Sequence, residues 1–574
     1  MTKTRSDLFH KIREADGFDA VVIGGGVNGI GVYRDLALQG LRVLLVEKND
    51  FCSGCSAAPS RMIHGGLRYL ENGEFDLVKE SLQERDALLT NAPHMVRPLP
   101  TVIPISSVFS GMFNAAASFV GLKGKPSARG VLPIKMGLSL YDLVTRKRRL
   151  TPTHQMFGRR RTRQDWPTLS KEAKYSAVFY DAWISHPERL CIELLKDISA
   201  ATSDAYALNY ATLRLESGTH ILADNVSGDE IEIKTKVIVN ASGAWLDDVA
   251  RDLSSVSADR MVSGTKGSHL ILDHPDLYKA LKGHMVYFEN DDGRVCIVFP
   301  YLGRVLAGST DIRVEKAKRV RCEPEEQSYI LESLNMVFDG LRVTDEHVVF
   351  SYSGIRPLPK SDADFTGRIS RGHHVKRLEG DVPQFCMIGG KWTTFRAFGE
   401  QTSDAVLAEI GKERIISTLE RPIGGGAGFA DLGANLETSL MARHGVSKQR
   451  AKHLIDHYGS HAHEVQEVCD QLASDAPIAD GTEYTTAEIA YLIQTEFALT
   501  VADIVLRRTS LAIRGQLNGA ILDRITEILA DALHLSSEAA VGQRQALVDE
   551  LVTYHGVAAD GLTHALNNRS TQCA

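Results

Sequence analysis

Several features that mark particular classes of protein are scarce in this chain. Its 574 residues include only eight cysteines. They are scattered, which is typical of free thiols in a reducing compartment rather than a disulfide framework. The formal net charge is only −7, so the charge balance does not favour nucleic acid as a partner. The first twenty residues lack an apolar signal core, which predicts a cytoplasmic protein.

Long apolar runs are also missing. A membrane-spanning helix needs about 20 predominantly apolar residues, and the nearest candidate, Pro98 to Leu122, is interrupted by prolines and serines. Its second half, from Val108, is followed by Lys123, Lys125 and Arg129. That combination is typical of a helix in the membrane interface, and a buried helix of the protein core is the equal alternative. The chain length predicts two or three domains.

The most informative motif lies near the N-terminus. An apolar strand leads straight into G-x-G-x-x-G at Gly24, Gly26 and Gly29, and a second apolar strand from Leu41 ends in Glu47. Here Gly24 permits a tight turn, Gly26 lets a pyrophosphate approach the backbone, and Gly29 lets a helix pack on the sheet. The helix N-terminus attracts phosphates, and the carboxylate of Glu47 accepts hydrogen bonds from ribose hydroxyls. The combination predicts an adenine-dinucleotide site.

NAD and FAD share this unit, and two observations favour FAD. A second such unit for a nicotinamide is missing, since Gly424 to Gly428 follows Arg421-Pro422 and is interpreted as a linker. A late apolar strand from Phe385 ends in Gly389-Gly390 before a helix, as in two-domain flavin folds whose chain returns to close over the flavin. Gly243, after another buried strand, is expected to pass beside the adenosine.

Cys52 and Cys55 keep one rival class open. Their C-x-x-C spacing is that of thioredoxin-like redox pairs, which would indicate a flavin disulfide reductase. The missing nicotinamide unit argues against that class, and cysteines that only pack in a loop are the preferred interpretation.

A dense polar cluster lies between Ser60 and Glu71. Two adjacent glycines let the backbone lie close to a flat ring, while His64 supplies a titratable base. Later glycine-flanked loops add further cations and hydroxyls, and such loops tend to present functional side chains. The residues expected to contact the flavin here are Ser60, Gly65, Gly66, Gly389, Gly390 and Thr393. Those expected to bind the substrate are Arg68, Tyr69, Lys266, Arg356 and Lys391.

Arg68, Arg356 and Lys391 are expected to converge on a phosphate or carboxylate, because the planar fork of arginine binds pairs of oxygens. A base must also take a hydroxyl proton from within about 3 Å. His64 and His269 are both candidates, since an imidazole titrates near pH 6.5, and an arginine neighbour would help to keep the ring neutral. The sequence does not choose between the two. No metal site is predicted.

The strings HGGLRYLE, TKGSH, SGIRPL and GGKWTTFR, in that order, resemble the FAD-dependent glycerol-3-phosphate dehydrogenase family. So does Ala498 to Thr509, and the resemblance spans nearly the whole chain. It implies oxidation of sn-glycerol 3-phosphate to dihydroxyacetone phosphate by hydride transfer to flavin N5. It also implies that a peripherally bound enzyme passes the electrons to membrane quinone. The family's substrate cations fall on Arg68, Arg356 and Lys391.

The expected fold is α/β, with a FAD-binding Rossmann-type domain, an antiparallel-sheet substrate domain and a C-terminal α-helical domain. The FAD-dependent region is expected at about 17–425, with Rossmann-type parts at about 17–100, 180–250 and 350–410. The capping sheet is expected at about 255–350 and the helical domain at about 430–570.

Two features depart from the family pattern. Ser56 to Arg61 replaces a Ser/Thr-rich run that usually ends in lysine, and Ser106 to Pro133 resembles an insertion. Both are compatible with a changed substrate, so erythritol phosphate is the leading alternative. A glycerophosphate oxidase, which gives its electrons to dioxygen, would share all these motifs. Peripheral contact with the cytoplasmic face of the inner membrane and a homodimer are left open.

Overall fold

The computed structural model describes residues 5–67, 69, 74–107, 131–145, 150–253, 259–290, 292–361, 369–433, 435–472 and 475–563. Arg68 and the expected interfacial helix after Val108 lie outside these residues.

The described strands are β1 Phe18–Ile23, β2 Val43–Val46, β3 Met62–Ile63, β4 Val96–Ile105, β5 Gln155–Phe157, β6 Tyr175–Ile184, β7 Ala205–Leu208, β8 Ala211–Glu216, β9 Thr219–Asp224, β10 Glu230–Ile233, β11 Thr235–Asn240, β12 Val262–Leu272, β13 Met285–Glu289, β14 Val295–Tyr301, β15 Arg304–Gly308, β16 Ile312–Val314, β17 Val348–Pro359, β18 His373–Leu378 and β19 Gln384–Gly389.

The described α-helices are α1 Arg5–Glu14, α2 Val27–Leu38, α3 Phe75–Asn91, α4 Val131–Thr145, α5 Arg159–Asp165, α6 Pro187–Ala201, α7 Leu246–Asp252, α8 Pro275–Leu281, α9 Pro324–Val337, α10 Phe395–Glu409, α11 Phe429–Leu432, α12 Asn435–His444, α13 Lys448–Tyr458, α14 Ala462–Asp470, α15 Thr486–Thr495, α16 Val501–Asp503, α17 Gly519–Leu533, α18 Ser537–His555 and α19 Asp560–Thr563. Among the described residues, no helix has both the length and the apolar character needed to cross a bilayer.

A mostly parallel sheet is built around the N-terminal strand. Its order over the described residues is β18-β19-β11-β1-β2-β7, and only the β18–β19 pair is antiparallel. Successive residues of β1 point to opposite faces, and the sheet is covered on both. Val22 packs in a core with Ile30 and Leu36 of α2, whereas Val21 packs with Phe9 and Ile12 of α1.

Helices α2 and α10 approach each other through glycines. A Cβ on Gly399 of α10 would lie 2.9 Å from the carbonyl carbon of Gly31 in α2. The late helix can therefore press directly on the helix that follows the glycine turn. This contact brings the chain back to the first βα unit, as the sequence predicts.

A second, larger sheet lies beside the first. Over the described residues its order is β16-β12-β15-β14-β13-β4-β6-β3, with β17 paired to β12 and β5 to β6. The pairs are antiparallel except β13–β4. On one face Leu270 and Leu272 pack with residues of α8 and α9. On the other face Ile271 packs in one core with C-terminal helices such as α15.

The expected fold class is confirmed by this architecture. The second sheet is wider than the expected capping sheet, because β4 and β6 join it from earlier parts of the chain. The expected limits of the domains stay predictions.

The glycines at Gly424 to Gly426, interpreted from the sequence as a linker, lie between α10 and the C-terminal helices and are buried. A Cβ on Gly425 would overlap the carbonyl oxygen of Tyr458 in α13, and one on Gly426 would overlap that of Asn91 in α3. Because glycine has no side chain, the backbone of this segment packs directly against the backbones of Tyr458 and Asn91. This packing fixes the C-terminal helices to the first domain.

Candidate active site

The glycine turn after β1 has the geometry that the sequence predicts. Gly24 has φ +108°, and a Cβ there would lie 2.6 Å from the carbonyl oxygen of Ala241. A Cβ on Gly29 would overlap the carbonyl oxygen of Gly24 itself. Gly26 precedes α2 and supplies no side-chain cap, while the Val27 N–H donates to Ser56 Oγ at 2.9 Å. The N-terminus of α2 therefore directs its other first-turn N–H groups at the glycine turn, where an anion would lie.

Glu47 lies beside this turn, at the end of β2. Its Oε2 accepts a hydrogen bond from the Gly25 N–H at 2.6 Å, and its Oε1 accepts one from the Asn49 N–H at 2.8 Å. Burial raises the pKa of the Glu47 carboxyl, and these backbone donors oppose that rise. The carboxylate is thus held in place at the edge where the predicted ribose would lie.

The loop after β3 meets the loop after β19. The His64 N–H donates to Thr393 Oγ1 at 3.3 Å, and the Gly65 N–H donates to Asp181 Oδ1 at 3.0 Å. Gly66 has φ +76°, and a Cβ there would overlap the ring of Tyr69. Two loops that are far apart in sequence therefore form one wall of a common site.

Lys391 extends across this wall. Its Nζ lies 4.5 Å from the centroid of the Tyr69 ring and donates to Ser81 Oγ at 2.8 Å. Burial lowers the pKa of the Lys391 ammonium to about 8; Glu80 opposes the shift, and Arg371 adds to it. Near pH 7 the side chain still carries its charge in a largely dry environment.

Arg356 projects from β17 on the opposite wall. It is paired in register with Thr265 of β12, and its guanidinium lies over Gly267, where a Cβ would overlap it. Its Nη1 donates to Asp311 Oδ1 at 3.1 Å and its Nη2 to Ser309 Oγ at 3.2 Å. Glycine at position 267 therefore makes room for the arginine.

Arg371 is a cation of this site that the sequence analysis missed. Its Nη2 donates to the second oxygen of Asp311 at 3.4 Å. It also lies close enough to His64 and Lys391 to lower the pKa of each. No motif singles it out, because its position depends on how the chain returns from β17 to β18. Asp311 thus links Arg356 to Arg371, and Arg371 in turn faces Lys391.

Of the two candidate bases, His269 is the more deeply buried. It is 1% exposed and stacks on the ring of Tyr352, with centroids 5.0 Å apart. Within the described part of the chain, neither ring nitrogen has a hydrogen-bond partner. Burial, together with the neighbouring Arg356 and Arg61, lowers the pKa of His269 to about 3. The ring is therefore neutral near pH 7.

His64 is also neutral near pH 7. Burial lowers its pKa to about 3, with further contributions from Lys391 and Arg371. Its ring lies beside Tyr69, with centroids 5.9 Å apart. Cationic neighbours thus lower the pKa of both histidines, as expected.

Lys266 does not join the other cations. Its Nζ forms an ion pair with Glu326 Oε2 at 2.5 Å and donates to the carbonyl oxygen of Arg321 at 3.1 Å. Alternate residues of a strand point to opposite faces, so Lys266 faces away from His269, three residues along β12. The prediction that Lys266 binds substrate has no support from this geometry.

The remaining predicted residues line turns near the same site. Gly243 has φ +62° after β11, and a Cβ there would meet only Pro357 Cγ, at 3.9 Å. Gly389 and Gly390 have φ +84° and +100° at the end of β19. Ser60 is partly buried ahead of Arg61. Their roles toward a cofactor stay predictions.

Two family models match the chain. One described as "FAD dependent oxidoreductase" matches residues 19–404, and one described as "C-terminal domain of alpha-glycerophosphate oxidase" matches residues 416–540. A glycerol-3-phosphate dehydrogenase of Synechocystis is 33% identical over 523 residues, covering 86% of this chain and 89% of the relative. This chain belongs to the FAD-dependent glycerol-3-phosphate dehydrogenase family.

Other members of the family resemble the chain to a similar degree. A D-erythritol 1-phosphate dehydrogenase of Brucella abortus is 31% identical over 510 residues, covering 86% of this chain and 95% of the relative. The structure of a glycerol-3-phosphate dehydrogenase from Bacillus halodurans, determined with FAD, has a TM-score of 0.74. It is 24% identical and covers 98% of this chain and 99% of that one, so the fold is shared from end to end.

Family membership confirms that this chain is an oxidoreductase with FAD as its cofactor. The residues at the glycine turn fit that cofactor. Among the described residues, the buried Oδ1 of Asn28 in α2 has no hydrogen-bond partner, and a Cβ on Gly390 would lie 2.7 Å from Asn28 Nδ2. Gly24, Gly26 and Glu47 would hold the adenosine diphosphate part, and the 64–66 and 389–393 loops would hold the flavin.

The cysteines of the C-x-x-C motif do not support a dithiol enzyme. Cys52 is buried and Cys55 is partly buried, and both are free thiols. Burial raises the pKa of each thiol, whereas redox-active cysteines need a lowered pKa. The interpretation of these residues as loop and packing cysteines fits the structure.

Proposed function

We propose that this enzyme oxidises sn-glycerol 3-phosphate to dihydroxyacetone phosphate and passes the electrons to a membrane quinone. The observation that carries the proposal is the convergence of Arg356, Arg371 and Lys391 beside two neutral histidines. Cations in a partly dry site suit a dianionic phosphate. A neutral histidine suits the removal of a hydroxyl proton.

The phosphate group would bind between Arg356, Arg371 and Lys391. Arginine binds two oxygens at once through its planar fork, and lysine contributes a compact positive charge. Asp311 accepts hydrogen bonds from both arginines, which holds their guanidinium groups in place. Arg68, the remaining predicted cation, lies outside the described residues.

We infer that His269 rather than His64 takes the hydroxyl proton. Burying a ring with two unbonded nitrogens costs free energy, so such a ring is expected to gain its partner when substrate binds. His269 has that property among the described residues, and it lies on the same face of the β12–β17 pair as Arg356. A phosphate held by Arg356 would place the neighbouring hydroxyl within reach of His269.

FAD supplies a hydride acceptor at flavin N5 when it is bound. The protein residues supply the rest: the cations anchor the phosphate, and His269 orients and deprotonates the hydroxyl of the carbon that loses hydride. Holding the reacting atoms about 3–3.5 Å apart accounts for much of the rate gain in such reactions.

An exposed stripe on α4 supports contact with a membrane. Leu132, Met136 and Leu143 are 38%, 70% and 61% exposed, and their spacing places them on one helix face. His154 Nδ1 and Asp142 Oδ2, 2.7 Å apart, tie α4 to the segment that leads into α5. Arg159 to Arg161 of α5 are exposed. Apolar residues beside basic ones are typical of a surface that lies on anionic lipid.

An anaerobic titration of the flavin absorbance tests the substrate. We expect sn-glycerol 3-phosphate to bleach the oxidised flavin with a saturable rate, whereas glycerol without phosphate leaves it unchanged. Bleaching by no phosphorylated polyol would contradict the proposal. Mixing the reduced enzyme with a short-chain quinone or with dioxygen then tests the acceptor.

D-Erythritol 1-phosphate is the second candidate substrate, because the Brucella abortus relative is nearly as similar as the Synechocystis one. D-Erythritol 1-phosphate and its enantiomer, L-erythritol 1-phosphate, are included in the same titration. A higher kcat/KM for an erythritol phosphate than for glycerol 3-phosphate would replace the first substrate by the second. An oxidase would instead release hydrogen peroxide faster than it reduces quinone.

A further inference from the structure

The C-terminal helices contact the loop that follows β2. Asp50 in this loop is fully buried and accepts hydrogen bonds from Arg507 Nε at 2.5 Å and from Arg508 Nη1 and Nη2 at 2.7 and 2.8 Å. Both arginines lie in a π-helical turn, Ile504–Arg508, that continues α16. The two guanidinium groups lower the pKa of the Asp50 carboxyl to about 2 against the effect of burial.

The next residue connects this contact to the glycine turn. Phe51 forms an edge-to-face pair with Phe497 of the C-terminal region, with ring centroids 5.3 Å apart. A Cβ on Gly25 would lie 2.6 Å from Phe51 Cδ1. The phenyl ring of Phe51 therefore fills the space between Phe497 and the backbone of the turn.

Backbone hydrogen bonds complete the connection. The Cys52 N–H donates to the carbonyl oxygen of Gly25 at 2.8 Å, and the Gly25 N–H donates to Glu47 at 2.6 Å. The loop from Glu47 to Cys52 is thus bonded to Gly25 at both of its ends. Its middle is held by residues more than 400 positions away in sequence.

We propose that Phe497, Arg507 and Arg508 are positioning residues for FAD, which they hold through the 47–52 loop. Arg507 also forms an ion pair with Asp503 at 2.7 Å, so two aspartates balance the two arginines. These cations are therefore engaged by carboxylates and act on the cofactor site through Asp50. A displaced loop would move Glu47 and the Gly25 backbone, which are expected to face the adenosine.

The coupling works in both directions. If docking of the C-terminal helices favours FAD binding, bound FAD favours that docking by the same factor. FAD should consequently stabilise the contact between Asp50 and the arginines against unfolding. The contact acts on FAD binding, whichever polyol phosphate the enzyme oxidises.

The test measures FAD binding to the full-length protein. The apoprotein is titrated with FAD while flavin fluorescence is followed, and FAD release is timed from the holoprotein after dilution. We expect Arg508→Met to raise the Kd for FAD about tenfold, within the range by which coupling residues change affinity. Arg508→Lys should recover part of the loss. With FAD at saturation, Arg508→Met should be reduced by substrate at the wild-type rate.

Arg450→Met is the matched control. Arg450 pairs with Glu488 within the C-terminal helices, and both side chains are buried. We expect it to lower Tm as Arg508→Met does while the Kd for FAD stays within about twofold. Equal Kd values for the two variants would overturn the proposal. If Arg508→Met does not fold, Phe497→Leu decides: a raised Kd for FAD supports the proposal, and an unchanged Kd overturns it.

Discussion

Beside Arg356, the buried ring of His269 has no hydrogen-bond partner among the described residues, whereas beneath the C-terminal helices buried carboxylates pair with buried arginines. In the first region both nitrogens of His269 are unbonded among the described residues, and Arg356, Arg371 and Lys391 face a site with Asp311 between two of them. Buried ring nitrogens without a partner, such as those of His269, lower stability. They persist where a ligand will bond them.

In the second region buried carboxylates and arginines pair with each other. Glu488 is fully buried and pairs with Arg450, while His453 Nε2 lies 2.9 Å from its Oε1 and Tyr458 donates to it at 2.7 Å. These partners hold the pKa of the Glu488 carboxyl well below its usual value. The network fixes helices to each other, so its removal should cost stability rather than turnover.

Replacing the unbonded histidine should have the largest effect. His269→Gln keeps the size of the side chain but removes the base, and we expect kcat to fall about 10³-fold, within the usual range for general-base catalysis. Anaerobic stopped-flow reduction of the flavin measures this step directly. His457→Gln is the control, because His457 is also buried but bonds Tyr484 at 2.8 Å. An equal loss of kcat in both variants would remove the distinction between the two regions.

Breaking the paired network should have the converse effect. Glu488→Gln leaves Arg450 buried without its counter-charge, which we expect to lower the free energy of unfolding by about 3 kcal/mol. Urea denaturation measures this loss, and the rate of flavin reduction should not change. Glu409→Gln removes an exposed partner of Arg377 and should leave stability unaltered. A slowed flavin reduction in Glu488→Gln would show that this network serves catalysis.

The dinucleotide turn was predictable because its constraints are local. Gly24 is required by its positive φ and Gly29 by its contact with Gly24, and the spacing of the two glycines carries that information. The opposite orientation of Lys266 and His269 on β12 was also predictable. The two residues are an odd number of positions apart, and a strand places such residues on opposite faces.

Other parts depended on contacts between distant segments. Arg371 reaches the site only because Asp311, sixty residues earlier, bonds it together with Arg356. The buried glycines at Gly424 to Gly426 resemble a flexible stretch until Tyr458 and Asn91 are seen against them. Neither contact leaves a periodic or spacing signal in the sequence.

Removing a cation should weaken substrate binding without affecting the cofactor. We expect Arg356→Met to lower the affinity for glycerol 3-phosphate about 10²-fold, since hydrogen bonds to charged groups contribute about 1.5–3 kcal/mol each. The midpoint of flavin bleaching gives the affinity, and flavin fluorescence gives the affinity for FAD. Arg377→Met, which removes a surface arginine, is the control. Unchanged substrate affinity in Arg356→Met would contradict the phosphate clamp.

The smallest expected effect is a dependence of kcat/KM on pH that comes from Lys391. Because burial lowers the pKa of this ammonium from 10.5 to about 8, the side chain is charged below pH 8 and loses its charge above it. Substrate phosphate is a dianion above about pH 6, so kcat/KM should be highest between pH 6 and 8 and fall about tenfold by pH 9. Lys391→Arg keeps its charge at all these pH values and should abolish the fall at high pH, whereas Lys391→Met should be low throughout. A wild-type profile that stays level to pH 9 would mean that Lys391 does not bind the phosphate, and would leave the site's positive charge to the arginines alone.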